Sequence, residues 1–185
     1  MENNTSLSSK EAKNTLEIVP VEAPSIGTLA ALAEQVWHEC FAHLLSREQI
    51  EYMLARFQSE EALTRQMQSE GYAYYFLRCG RENAGYFGIR EDGEGRLFLS
   101  KLYILRAFRG KGLSSAAFDF MEGECRRRAL KAIWLTVNRY NETAIQVYLH
   151  RGFVVREEKV ADIGHGFVMD DFIMEKALSL SLIHI

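Results

Sequence analysis

Leu102 to Ser115, LYILRAFRGKGLSS, carries the strongest chemical signature in this chain of 185 residues. An apolar run breaks at Arg109-Gly110-Lys111-Gly112, and a helical pattern begins at once. Glycines there let the backbone approach a ligand, the first turn of the helix offers unpaired N–H groups, and Arg109 and Lys111 add positive charge. This chemistry suits an anion of the phosphate type. A Walker loop is excluded, because Gly112 follows the Gly-Lys pair and Leu105 stands where its first glycine belongs. A dinucleotide fingerprint would use Gly110, Gly112 and Ser115; it lacks its last glycine and the ribose-binding acid about twenty residues on.

The charge distribution supports a local anion site. Net charge is −3, yet residues 96–139 carry ten basic and three acidic side chains, whereas residues 1–95 carry eight and fifteen. A chain acidic outside one basic segment is not a general nucleic-acid binder. The triplet Arg126-Arg127-Arg128 lacks the interleaved aromatics of a strand-binding surface. Three cysteines at unrelated spacings indicate neither a disulfide framework nor a zinc cluster. His38 and His43, five apart, do not share a helix face, so no metal is expected. No apolar run reaches the roughly 18 residues of a membrane span. With no secretory signal pattern, the expectation is a cytoplasmic protein that engages neither membrane nor nucleic acid.

The elements that must position the loop follow from periodicity. Residues 1–14 are polar and aperiodic and read as a disordered tail; 178–185 read as a second tail. Between them, 15–177 has the length of one domain. Thr15 to Val21 reads as a strand. Leu29, Leu32, Ala33, Val36, Trp37 and Cys40 mark an amphipathic helix. Ser46 with Gln49 opens a second helix, with Ile50, Met53, Leu54 and Phe57 inward, and Ser59 caps a third. Tyr72–Arg78 and Ala84–Arg90 form strands around a turn at 79–83, and Arg96–Leu105 makes a third. The helix after the loop presents Leu113, Ala116, Ala117, Phe120 and Met121. Ala132–Val137 is a short buried strand parallel to the one near Phe98. Asn141 caps a helix with Ala144, Ile145, Tyr148 and Leu149 on one side, and 153–160 and 166–174 complete the sheet. This is an α+β chain, a mixed sheet covered by helices.

Arg109-Gly110-Lys111-Gly112-Leu113-Ser114 resembles the RxxGxG/A loop of the GNAT superfamily of acetyltransferases. Thirty residues later NETAIQVYLHRGF, Asn141 to Phe153, is similar to that superfamily's NxxAxxxYxxxGF segment. The resemblance implies the acyl-CoA N-acyltransferase fold, about seven mixed strands with four to five helices. The region from Leu102 onward, with the closing MDDFIMEK, also resembles bacterial polyamine-type acetyltransferases. Ser114 departs from the usual Gly or Ala but stays small.

The implied function is transfer of an acetyl group from acetyl-CoA to a primary amine by direct attack in a ternary complex. The backbone of Tyr103, Ile104 and Leu105 would pair with the pantetheine arm, Arg109 to Ser114 would hold the pyrophosphate, and Asn138 and Asn141 would touch the cofactor arm. Tyr148 matches the family's general acid, a phenol that is protonated at neutral pH. The family's usual glutamate base is missing, Lys101 standing in that neighbourhood; Asp170, Asp171, His38 and Glu39 are the alternatives. As adjacent strand residues, Asp170 and Asp171 point opposite ways. Trp37, His43 and Tyr52 would shape the acceptor pocket, since in this fold the first two helices border it. The acidic remainder of the chain favours a small cationic metabolite. A protein or peptide amine is the alternative acceptor, and a non-catalytic acyl-CoA-sensing module the alternative role. Monomer and homodimer both remain open.

Overall fold

In the computed structural model, residues 15–179 are described; the tail 1–14 and residues 180–185 of the second tail lie outside them. Seven strands form one mixed sheet: β1 (Leu16–Pro20), β2 (Ala73–Cys79), β3 (Glu82–Glu91), β4 (Arg96–Ile104), β5 (Ala132–Asn138), β6 (Val154–Gly164) and β7 (Phe167–Ala177). Their spatial order is β1-β2-β3-β4-β5-β7-β6, so the last strand enters between β5 and β6. Five helices accompany them: α1 (Ile26–Phe41), α2 (Arg47–Phe57), α3 (Glu60–Ser69), α4 (Leu113–Arg128) and α5 (Glu142–His150). No helix among the described residues is long and apolar enough to cross a membrane.

Residue contacts divide the chain into two units. Among the described residues, the first contains 15–88 and 101–118, and the second 89–100 and 119–179.

In the first unit β1 pairs antiparallel with β2, from Leu16 opposite Cys79 to Pro20 opposite Tyr75. The caps act as their sequences require. Ser46 and Ser59 accept from the backbone N–H of Gln49 and Ala62, satisfying amides that have no partner inside their helices. Leu29, Ala33 and Val36 of α1 are fully buried and join Leu63, Tyr74, Phe76 and Tyr86 in one apolar core. Ile50, Met53 and Leu54 point inward, while Phe57 is only half-buried. The turn between β2 and β3 shrinks to Gly80-Arg81, because both strands extend past the expected 79–83 break. A link of two residues joins antiparallel neighbours.

In the second unit β4 and β5 run parallel, Arg96 opposite Ala132 and Leu99 opposite Leu135. β5 pairs antiparallel with β7 along its whole length, Ala132 opposite Ala177 and Asn138 opposite Asp171.

Two expected helix faces are corrected. α4 buries Leu113, Ala117, Phe118, Met121 and Cys125, whereas Ala116 and Phe120 are half-buried. The i, i+4 row through 113, 117, 121 and 125 sets the face, and Phe118 beside it carries the larger ring. On α5 Leu149 is 42% exposed and no residue is fully buried. That short helix rests on Ala144, Ile145 and Tyr148 alone.

Candidate active site

The loop after β4 belongs to the first unit. The strand does not run directly into it; a single 3-10 turn, Arg106–Phe108, intervenes. Gly110 and Gly112 then adopt φ of 73° and 83°, in the left-handed region that other residues avoid. A Cβ at Gly110 would meet nothing within 4 Å, and one at Gly112 only a Leu16 methyl at 3.8 Å, so the backbone lies open to a ligand. Ala116 is the residue whose N–H closes back on Gly112, which leaves the N–H groups of Leu113, Ser114 and Ser115 at the start of α4. Arg109, Gly110, Lys111 and Gly112 are exposed. Lys111 lies over the Phe108 ring, 5.0 Å from its centroid. This arrangement fits a pyrophosphate by exposed amides, a helix N-terminus and two cations.

α1 holds the approach to that loop. Glu39 accepts from the backbone N–H of Arg106 at 2.8 Å, and Cys40 accepts from Nη2 of Arg109 at 3.0 Å. Nε of Arg109 donates to the Ile104 carbonyl at 3.2 Å. Burial pushes the Cys40 thiol up, against the pull of Arg109. Leu105 donates its N–H to Ala84, so that amide is committed inside the sheet rather than offered to a ligand. Tyr103 is half-buried among aromatic rings, with Trp37, Phe41 and Tyr86 at 5.6–5.7 Å.

The acceptor-pocket candidates of the first unit are scattered in character. Trp37 is 4% exposed, a core ring. His43 is exposed on the turn after α1, and Tyr52 accepts from Nη1 of Arg56 one helical turn on. His38 lies 3.3 Å from Glu51.

Lys101 was legible as a charge but not as a buried one. It shares the inward face of β4 with Leu97 and Leu99 and is 9% exposed. Nζ donates to Oε1 of Gln66 at 2.8 Å and to the Tyr74 hydroxyl, and lies 4.9 Å from the Tyr74 ring centroid. Gln66 in turn donates to the Phe57 carbonyl, fixing its amide. Burial lowers Lys101 to about 7 and raises the Tyr74 phenol well above its ordinary value. Alternation along RLFLSKLYIL carried the signal: Leu97, Leu99, Lys101 and Tyr103 share one side.

The second unit holds the remaining candidates. Asn141 caps α5, accepting from Ala144, and Asn138 closes a local turn by accepting from Tyr140. Their carbonyl oxygens are thus in use, and their amide nitrogens remain the groups with which to contact a ligand. Tyr148 is half-buried, its ring 5.9 Å from Phe153, and desolvation pushes its phenol up to about 12. Asp170 and Asp171 separate as alternation demands. Asp170 binds Nε of Arg139 at 2.7 Å, and Arg139 also binds Glu158 at 2.7 Å. Asp171 has a buried Oδ1 without a hydrogen-bond partner, and burial, then Asp170, raise its carboxyl to about 6. The basic triplet of α4 is exposed, and two of its members are tied to their own helix. Arg127 and Arg128 both bind Glu124, holding that carboxyl at about 2. Among the described residues, no three His, Cys, Asp or Glu side chains gather as metal ligands would.

Comparison with known proteins places this arrangement. The model of an acetyltransferase (GNAT) domain matches residues 41–172. An uncharacterised N-acetyltransferase in the pepI 3′ region of Lactobacillus delbrueckii subsp. lactis is 26% identical over 170 residues, 88% of this chain and 98% of that one. The PaiA N-acetyltransferase of Thermoplasma acidophilum, solved with coenzyme A, superposes with a TM-score of 0.75 at 21% identity, covering 89% of this chain and 99% of its own. The ribosomal-protein-S18-alanine N-acetyltransferase of Escherichia coli gives 0.68 at 17%, covering 92% and 99%. The seven-stranded mixed sheet with five helices matches the fold of these solved structures. The chain therefore belongs to the GNAT acetyltransferase family, acyl-CoA-using enzymes of the N-acetyltransferase type.

Proposed function

We propose that this enzyme moves an acetyl group from acetyl-CoA to a primary amine of a small cationic metabolite, of the polyamine type, by direct attack in a ternary complex. The observation that carries the donor half is the exposed loop from Arg109 to Ser114, with two left-handed glycines and the N-terminus of α4. Those residues hold the pyrophosphate, and the β4 backbone from Tyr103 through Ile104 borders the pantetheine arm. Bound there, the cosubstrate supplies an activated acetyl thioester. Asn138 and Asn141 offer amide N–H groups to its arm. Tyr148 keeps a proton at its phenol oxygen for the departing sulfur, and its raised phenol keeps that proton throughout the neutral range. Trp37, His43, Tyr52, Asp170 and Asp171 are the acceptor-side candidates, and the acidic balance of residues 1–95 supports a cationic acceptor.

Residues 15–177 act in this reading as one acetyltransferase domain, cytoplasmic, as a monomer or homodimer. Calorimetric titration with acetyl-CoA tests the donor half: the wild-type chain binds and Gly112→Glu does not. An amine panel followed by free-thiol release tests the acceptor half. Acetylation of peptides but not of small amines would redirect the acceptor to a protein; cofactor binding without any transfer would leave a sensing module.

A further inference from the structure

We propose that Asp171 is the carboxylate that meets the cationic acceptor and takes the proton its nitrogen loses on attack. This rests on the acetyl-transfer reading above and supplies the base that the β4 neighbourhood of Lys101 lacks.

The argument begins with register. Asp171 is paired across the sheet with Asn138 of β5 on one side and with Lys159 of β6 on the other. Paired residues on neighbouring strands share a face and lie about 5 Å apart. Asn138 is the residue assigned to the cofactor arm, so an amine that approaches an acetyl group beside it comes within reach of Asp171. Asp170 cannot do the same work. It faces the other side of the sheet and is bound to Arg139, whose second partner is Glu158.

The state of the carboxylate is the second strand of the argument. Oδ1 of Asp171 is buried and lacks a hydrogen-bond partner. A buried oxygen of that kind costs stability unless something arrives to satisfy it, and an ammonium or amine N–H is the donor that the reaction brings. Lys159, paired with Asp171 on β6, lowers its carboxyl, and Asp170, its neighbour in sequence on the opposite face, raises it. Burial is the largest effect and, with Asp170, outweighs Lys159; the resulting value of about 6 leaves the group ionised at neutral pH yet basic enough to hold a proton.

The step balances without a further reactant. The amine lone pair forms the C–N bond to the acetyl carbon and the C–S bond breaks. The amine's proton passes to Asp171, and the sulfur, leaving with the bonding pair, takes the proton of Tyr148. Solvent exchange then returns a proton from Asp171 to Tyr148.

The experiment measures kcat against pH from 5 to 9 with saturating acetyl-CoA and a diamine acceptor. Wild type loses rate below about pH 6, as the carboxyl becomes protonated. Asp171→Asn lowers kcat at least tenfold at pH 7.5, lacks the acidic limb and binds CoA as wild type does. Asp171→Glu restores the limb at a reduced rate. A kcat for Asp171→Asn within twofold of wild type, with the limb intact, overturns the assignment of Asp171 and leaves the acetyltransferase reading standing. Wild type that binds acetyl-CoA but acetylates no amine overturns both.

Discussion

The Arg109 guanidinium donates to the Cys40 sulfur at 3.0 Å, although the two residues lie sixty-nine positions apart. Glu39, one residue earlier, accepts from the Arg106 amide at 2.8 Å. The last turn of α1 thus grips both ends of the short segment that carries the chain from β4 into the glycine loop proposed to hold the pyrophosphate. Preorganising a loop cuts the ordering cost of binding without touching the chemical step. Glu39→Ala and Cys40→Ala are therefore expected to raise the KM for acetyl-CoA about three- to tenfold and to leave kcat within twofold. Cys40→Ser, which keeps an acceptor, should sit between them and wild type. Steady-state kinetics with the acceptor saturating checks this, and unchanged KM in both alanine variants would show that the loop needs no support from α1.

Lys101 makes stability depend on alkalinity. Its folded value of about 7 lies below the ordinary 10.5, so between these limits the unfolded chain binds more protons than the folded one. Stability rises with pH through that window. Between pH 7 and 8, below the range where the thiols of Cys40 and Cys125 ionise in the unfolded chain, the rise is about 1 kcal/mol. Urea unfolding at pH 7, 7.5 and 8 measures it. Lys101→Met should abolish the slope, because a methionine of similar length fills the site with no charge to desolvate. An equal slope in the variant would place the titrating group elsewhere.

Tyr148 separates proton donation from packing. Its phenol is displaced upward to about 12, so the acid form persists well past pH 10. Under the proposed role, kcat shows no loss from this group between pH 8 and 10. Tyr148→Phe, which keeps the ring against Phe153, should lower kcat ten- to hundredfold while changing CoA affinity less than twofold. A matched loss of affinity would mark the hydroxyl as a binding group instead.

Local signals in the sequence were sufficient for most elements. Serines at 46 and 59 and Asn141 each cap the helix they precede, because a cap is a contact three residues long. The glycines at 110 and 112 leave the backbone open, as expected, and do so in the left-handed region. What escaped was set by partners far along the chain. Nothing near Lys101 indicates Gln66 and Tyr74, thirty-five and twenty-seven residues away. Nothing in the α1 pattern shows that Glu39 and Cys40 reach the loop. The faces of α4 and α5 differ from the expected ones for the same reason, since which half-apolar side is buried depends on what lies beneath. Asp170 and Asp171 were legible as opposites, but only the register identifies Arg139 with one and Asn138 with the other.

Gly85 tests how closely the donor-side strand must be approached. A Cβ built there would stand 2.3 Å from the Tyr103 carbonyl oxygen and 3.0 Å from the Ile104 Cα, both backbone atoms. No rotamer change relieves such an overlap; β4 itself must move at the residues proposed to border the pantetheine arm. The cost of a backbone displacement in a packed sheet is on the order of 2–4 kcal/mol. Gly85→Ala should therefore lower the urea midpoint and, in the fraction that remains folded, weaken CoA binding more than a remote destabilising change of equal size. Ala62→Gly in α3, whose β-carbon is buried away from the loop, supplies that comparison. Equal CoA affinity in the two variants at matched stability would mean that the arm does not depend on the exact course of β4 at Tyr103.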